Sequence, residues 1–216
     1  MKGWLRTCAF AFIFSSIWLL KAGASEMDLR LNTNAKAFQE FLGDPESDPW
    51  QFLFFDNPKM DDHGKWGEID SADFKLLNPD QQLFVLGGDA DGEIQNGGVG
   101  QLFFNKGGYV PQMESAFAGM GCTEAAELLG KEIERLSHTS FMADWAAAQQ
   151  QFTANNQSGD KEAAWEKYSE LMEKYFPEND GGDDSSQAYY DLRDNTLACI
   201  RRYIARHADS FVAISK

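Results

Sequence analysis

Basic side chains are scarce in this sequence. Its 216 residues carry 19 Lys and Arg against 34 Asp and Glu, a formal charge of −15. That deficit excludes sequence-independent binding to DNA or RNA backbones, because phosphates would be repelled. It also disfavours docking on anionic membrane surfaces. The partners it allows are cations, basic small molecules and proteins with basic surfaces. Histidine is thin too: His63, His138 and His207 are scattered, and no H-E-x-x-H occurs. Cysteine is limited to Cys8, Cys122 and Cys199 without any C-x-x-C, which argues against zinc-ribbon and thioredoxin-type chemistry. There is no sustained β-alternation, no internal repeat, and no apolar run of the ~20 residues a membrane span needs.

What is present is enough for a core. The chain is 43% apolar and 13% aromatic, too apolar for a disordered acidic tail. Its length suits one domain or at most two small ones. The amino terminus reads as a secretory signal. Lys2 and Arg6 precede the apolar run Cys8–Leu20, and Ala22-Gly23-Ala24 supplies small residues for cleavage. Cleavage after Ala24 is expected, with Ser25 as the second choice and an uncleaved anchor as the alternative. Loss of residues 1–24 leaves 34 acids and 16 bases, a charge of −18. It also leaves two cysteines, Cys122 and Cys199, either paired in an oxidising compartment or separate as buried thiols.

Past the signal, periodicity and punctuation predict a mostly α protein. Residues 25–75 form an N-terminal extension packing on the body through Trp50, Phe52, Phe54 and Phe55, and Asn34 can cap a short helix that Gly43 ends. Asp61, Asp62 and His63 fall in a loop. Asn78-Pro79 is a helix start, Asn96-Gly97-Gly98 a stop, and residues 78–108 read as helix, tight glycine turn, helix. Pro111 opens another helix and Thr123 can cap the next, with Leu128, Leu129, Ile133 and Leu136 on its apolar side. Residues 141–152 read as helical and 155–160 as a polar loop. Trp165, Tyr168, Leu171, Met172 and Tyr175 form a stripe on a further helix. Residues 178–186 are an acidic loop before a last helix that starts near Ser185 or Ser186.

No catalytic pattern stands out. Asp89-Ala-Asp-Gly-Glu93 fails as a calcium loop, because Ile94 and Gly100 occupy the positions that need Gly and Glu. Eight glycines lie between Gly87 and Gly108, yet neither a phosphate loop nor a dinucleotide fingerprint is present, so close helix approach is the better reading. No serine has a G-x-S-x-G context, and Cys122 has no evident base beside it. Neither a metal site nor a cofactor is called for. The remaining signal is acidity: residues 160–194 hold 11 acids and 4 bases, and Glu162, Glu166, Glu170, Glu173, Asp183 and Asp184 are the candidate partner-binding face.

Residues 81–105 contain Asp91, Gly92, Glu93, Ile94, Asn96, Gly97, Gly98, Gln101, Phe103 and Asn105. This set resembles the D-G-E-[VI]-x-N-G-G-[FV]-x-Q-[FL]-[FY]-x-N signature of the DMP-like family, a bacterial family named after a DNA-mimic protein. Residues 116–129 and the closing helix with Tyr203 and Phe211 resemble later family segments, so the likeness spans residues 76–212 of an expected helical domain at 76–216. Val99 departs from the usual aromatic after N-G-G, and Gly87-Gly88 should weaken its helix by ~1 kcal/mol per Gly. The founding member presents carboxylates in place of DNA phosphates to a transcription factor. The resemblance therefore implies the helical fold and an acidic face on a basic partner, while the export signal separates this chain from any transcription factor. The N-G-G residues have two readings: a structural turn, or a polar site at which Glu93, Asn96 and Gln101 converge.

The expectation is a single, multi-helix, non-enzymatic protein, periplasmic or secreted, that binds a basic protein, with an immunity or inhibitor role as its specific form. It does not bind nucleic acid directly or membrane after cleavage, and a homodimer remains open. The alternatives are a periplasmic hydrolase with paired carboxylates and a structural domain with no specific partner.

Overall fold

The computed structural model describes residues 28–59, 68–177 and 184–215. The signal segment 1–24, Asp61-Asp62-His63 and most of the acidic loop, including Asp183, lie outside them.

A short strand β1 (Leu31–Asn34) runs into α1 (Ala35–Gly43), where the Asn34 side chain accepts the Ala37 N–H at 2.9 Å. Phe38 and Phe41 are buried from α1, and Phe41 stacks on Phe52. A turn of π-helix (Gln51–Phe55) follows Trp50. The Trp50 and Phe54 rings meet Phe84 at 4.0 and 5.3 Å. Leu29, Phe38, Trp50 and Leu53 thus belong to the same core as the rest of the chain.

The long element α2 (Pro79–Lys106) is the centre of the molecule and touches α3, α6, α7 and α8. It begins with a reciprocal cap: Asn78 accepts from the Gln81 N–H, and Gln81 accepts from the Asn78 N–H. Its backbone leaves helical geometry only at Gly97 and Gly98, the latter at φ 82°. The break turns the chain back on itself. A straight helix would hold residues 93 and 105 about 18 Å apart, yet Asn105 donates to Glu93 at 2.7 Å. Gly87 and Gly88 lie in unbroken helix. A Cβ at either would stand 2.7 Å from Met120 or from the Trp50 ring, so the missing side chains admit close neighbours.

Helix α3 (Val110–Met120) ends in a Schellman turn, with Gly121 at φ 83° and the Cys122 N–H on the Phe117 carbonyl at 2.8 Å. Helix α4 (Thr123–Ser137) starts with Thr123 inside its first turn, so Thr123 is not the capping residue and Cys122 holds that position. Helix α5 runs Phe141–Ser158, so most of the expected polar loop at 155–160 is helix; the reversal is confined to Gly159 (φ 84°) and Asp160. Asp160 caps α6 (Lys161–Tyr175) through the Ala163 N–H. An aromatic layer of Phe103–Phe141, Phe103–Phe176, Phe104–Phe152 and Phe104–Tyr168 holds α5 and α6 on the second half of α2.

Helix α7 (Asp184–Arg206) buries Tyr189, Thr196, Ile200, Tyr203 and Ile204, and is followed by α8 (Ala208–Phe211) and β2 (Val212–Ser215). β2 pairs in parallel with β1, Leu31 opposite Val212. This two-stranded sheet was not apparent from the sequence, because four-residue strands are too short to display alternation. No helix among the described residues is long and apolar enough to cross a membrane.

Candidate functional site

The signature residues fall into two groups. Asp91 is 3% exposed and is held between elements. Its carboxylate accepts both Nε and Nη2 of Arg193, each at 3.1 Å, and the Tyr189 hydroxyl at 3.0 Å. Burial, followed by the charge of Asp91, drives the Tyr189 hydroxyl well above its ordinary range. The planar guanidinium takes the carboxylate in two bonds, so the pair fixes α7 against α2 in both distance and rotation.

The second group lies along the folded-back α2. Glu93 accepts from Gln101 at 3.1 Å and from Asn105 at 2.7 Å. Lys106 reaches Asp89 at 2.7 Å and Glu93 at 3.9 Å. Burial pushes the Asp89 carboxyl up, against the pull of Lys106. Asn96 and Gly97 stand exposed at the turn, Gly92 is exposed, Gly98 is buried, and Phe103 packs between Phe141 and Phe176. Of the three residues weighed as a converging polar site, Glu93 and Gln101 meet. They meet as the clasp of the hairpin, with Asn105 as the added donor. The Asp89 and Glu93 carboxylates share Lys106, and among the described residues no group of three His, Cys, Asp or Glu is placed to hold a metal ion.

The acidic face is on α6. Glu162, Glu166, Glu170 and Glu173 recur at steps of four and three, and all four are exposed. Glu170 pairs with Lys167 at 2.6 Å. Asp184 is exposed at the first turn of α7. Trp165 departs from the inward stripe expected of it: it is 59% exposed. Beside it a cleft of about 710 Å³ opens between α6, the N-G-G turn and the start of α7. Tyr168, Met172, Glu173 and Phe176 form one wall, with Gly97, Gly98 and Tyr190 opposite. Sequence reasoning missed this cleft, Arg193, Tyr189 and Lys106. Each depends on which faces of distant helices meet, and no local pattern reports that.

A disulfide joins Cys122, at the start of α4, to Cys199 in α7, with Cα atoms 5.6 Å apart. Helices packed around a carboxylate-clasped hairpin, with acidic side chains on an outer helix, define a class of acidic helical proteins. Within it, the chain belongs to the DMP19-like protein family, whose model matches residues 75–207, well over half of its length. The match takes in α2 to α7 and leaves β1, α1, α8 and β2 outside. No curated protein and no solved structure matches the chain.

Proposed function

We propose that this is an exported, non-enzymatic binding protein whose carboxylate-rich surface engages a basic protein. The observation that supports it most is the row Glu162, Glu166, Glu170 and Glu173, exposed on one side of α6, with Asp184 exposed at the start of α7. In the formal count the acids outnumber the bases by 15, so the field beyond these side chains is negative as well. Such a field raises the rate of encounter with a basic partner and rejects acidic ones. Its specific form is a periplasmic or secreted immunity or inhibitor protein that caps a toxin or nuclease, covering a basic surface that otherwise meets phosphates. The signal-like Lys2–Ala24 segment supports export.

The test is capture from the parent cell on the immobilised protein, beside a variant with Glu162, Glu166, Glu170 and Glu173 all changed to Gln. The expected result is a basic protein retained at low salt, released by roughly 0.5 M salt as the charges are screened, and retained poorly by the variant. Equal retention by both proteins, or no basic protein at low salt, counts against the reading.

A further inference from the structure

Trp165 is the largest exposed apolar side chain described on the surface, and its position is not accidental to the cleft. Its ring stands edge-on to Tyr168 at 5.5 Å and to Phe152 at 6.2 Å. Tyr168 in turn lines the cleft, followed along α6 by Ser169, Met172 and Glu173 and just past its end by Phe176. Residues 165, 169 and 172 follow at four- and three-residue steps on one side of α6, and Phe176 comes just past its end. Trp165 therefore stands one turn before the cleft lining, in ring contact with Tyr168. Across the cleft stand Gly97, with the Gln101 side chain against it, Gly98, and the exposed ring of Tyr190. Glu173 borders the cleft and Glu162 lies one turn before Trp165, so the rim is acidic at both ends.

We propose that this groove takes an extended basic segment of the protein partner, with an arginine side chain over the Trp165 ring and an apolar neighbour in the cleft against Met172 and Phe176. A guanidinium is attracted by the face of an indole, and here Glu162 adds a carboxylate within one helical turn. Tryptophan and arginine are among the residue types on which binding energy concentrates. A second copy of this chain fits poorly, because its own acidic rim would meet the acidic rim of the groove. The inference rests on the basic-partner reading and sharpens it from a charged face to a groove.

The experiment is calorimetric titration of the whole purified chain at low salt. The probes are a ten-residue peptide of alternating arginine and leucine, and an arginine–serine peptide of the same charge. The arginine–leucine peptide is expected to bind about tenfold tighter, because only its leucines fill the cleft, and Trp165→Ala to weaken both peptides about fivefold through loss of the arginine contact. Trp165→Phe recovers most of that loss. Glu162→Gln and Glu173→Gln weaken both peptides, while Glu124→Gln, exposed on α4, changes neither. Equal affinity for the two peptides, or an unchanged Trp165→Ala, overturns the groove and leaves the basic-partner reading to the capture experiment. Binding that ignores salt and both glutamine variants overturns the charge complementarity argued here. No binding by either peptide overturns the groove. So does a dimer in gel filtration that Trp165→Ala dissociates, which would seat a second copy there.

Discussion

Gly98 is the residue on which the α2 hairpin turns. At φ 82° and ψ 178° it occupies a region that L side chains rarely adopt. A residue held there costs on the order of 1–3 kcal/mol, so Gly98→Ala is expected to lose about 2 kcal/mol in chemical denaturation. Gly97 is different. Its φ of −168° is ordinary extended backbone, and an added Cβ would meet the Gln101 side-chain oxygen at 2.1 Å. That oxygen is the end of a flexible group, so Gly97→Ala should disturb the Glu93 clasp and cost less than Gly98→Ala. An inverted order would show that the clasp, rather than the backbone, holds the turn. Asp91 carries the larger stake. Removing one partner of a buried ion pair costs ~3–5 kcal/mol because the other charge is left stranded. Arg193 retains 29% exposure in its side chain, so Asp91→Ala is expected near the lower figure, about 3 kcal/mol, by thermal or denaturant unfolding.

At the scale of elements, caps and breaks were legible because they are local chemistry. Asn34, Asn78-Pro79 and the Asn96-Gly97-Gly98 break act on backbone groups within a few residues of themselves. Thr123 misled for the same reason. A capping side chain was present, but the Schellman turn at Gly121 set the start of α4 one residue earlier. The end of α5 was misread because Asn155, Asn156, Gln157 and Ser158 look like a loop, while tertiary packing of Phe152 against Phe104 and Trp165 holds that helix onward.

The α5–α6 pair also carries a pH-dependent clasp. Asp144 accepts from Lys174 at 2.6 Å, from Ser140 at 3.1 Å and from the Tyr175 hydroxyl. These bonds, Lys174 first, lower its carboxyl from 3.8 to about 2. A depressed carboxyl contributes stability that is present above its unfolded value and lost as pH falls through the folded one. The clasp should therefore hold above pH 3.8 and be lost as pH falls toward 2. Carboxyl chemical shifts of Asp144 through an acid titration check this, and a midpoint near 4 would show that the clasp is not formed in solution.

For the whole molecule, the disulfide is the largest single constraint. Cys122 and Cys199 are 77 residues apart, and in the chain-entropy estimate closing such a loop contributes about 4–5 kcal/mol. Reduction, or Cys122→Ser with Cys199→Ser, is expected to lower the unfolding free energy by that order, and a loss under about 1 kcal/mol would contradict the chain-entropy account. The bond ties the start of α4 to α7, the helix that also carries Arg193 and Tyr189, so its loss should loosen the Asp91 pair in the same transition.

Local chemistry along the sequence specifies the helical class, most helix starts, the glycine break and the acid excess, since each follows from capping, periodicity or counting. The sequence also marks Cys122 and Cys199 as the pair available after loss of Cys8, without deciding whether they meet. Only the packing of distant elements shows that they do, that Leu31 lies beside Val212, that Asp91 reaches Arg193, and that Trp165 faces outward. The sequence could place Trp165 only on a helix, because helical spacing groups residues on a side without saying which neighbour, if any, covers it. Covering the edge of α6 requires another element there. Packing of α5 and α2 against its other sides left the Trp165 edge open.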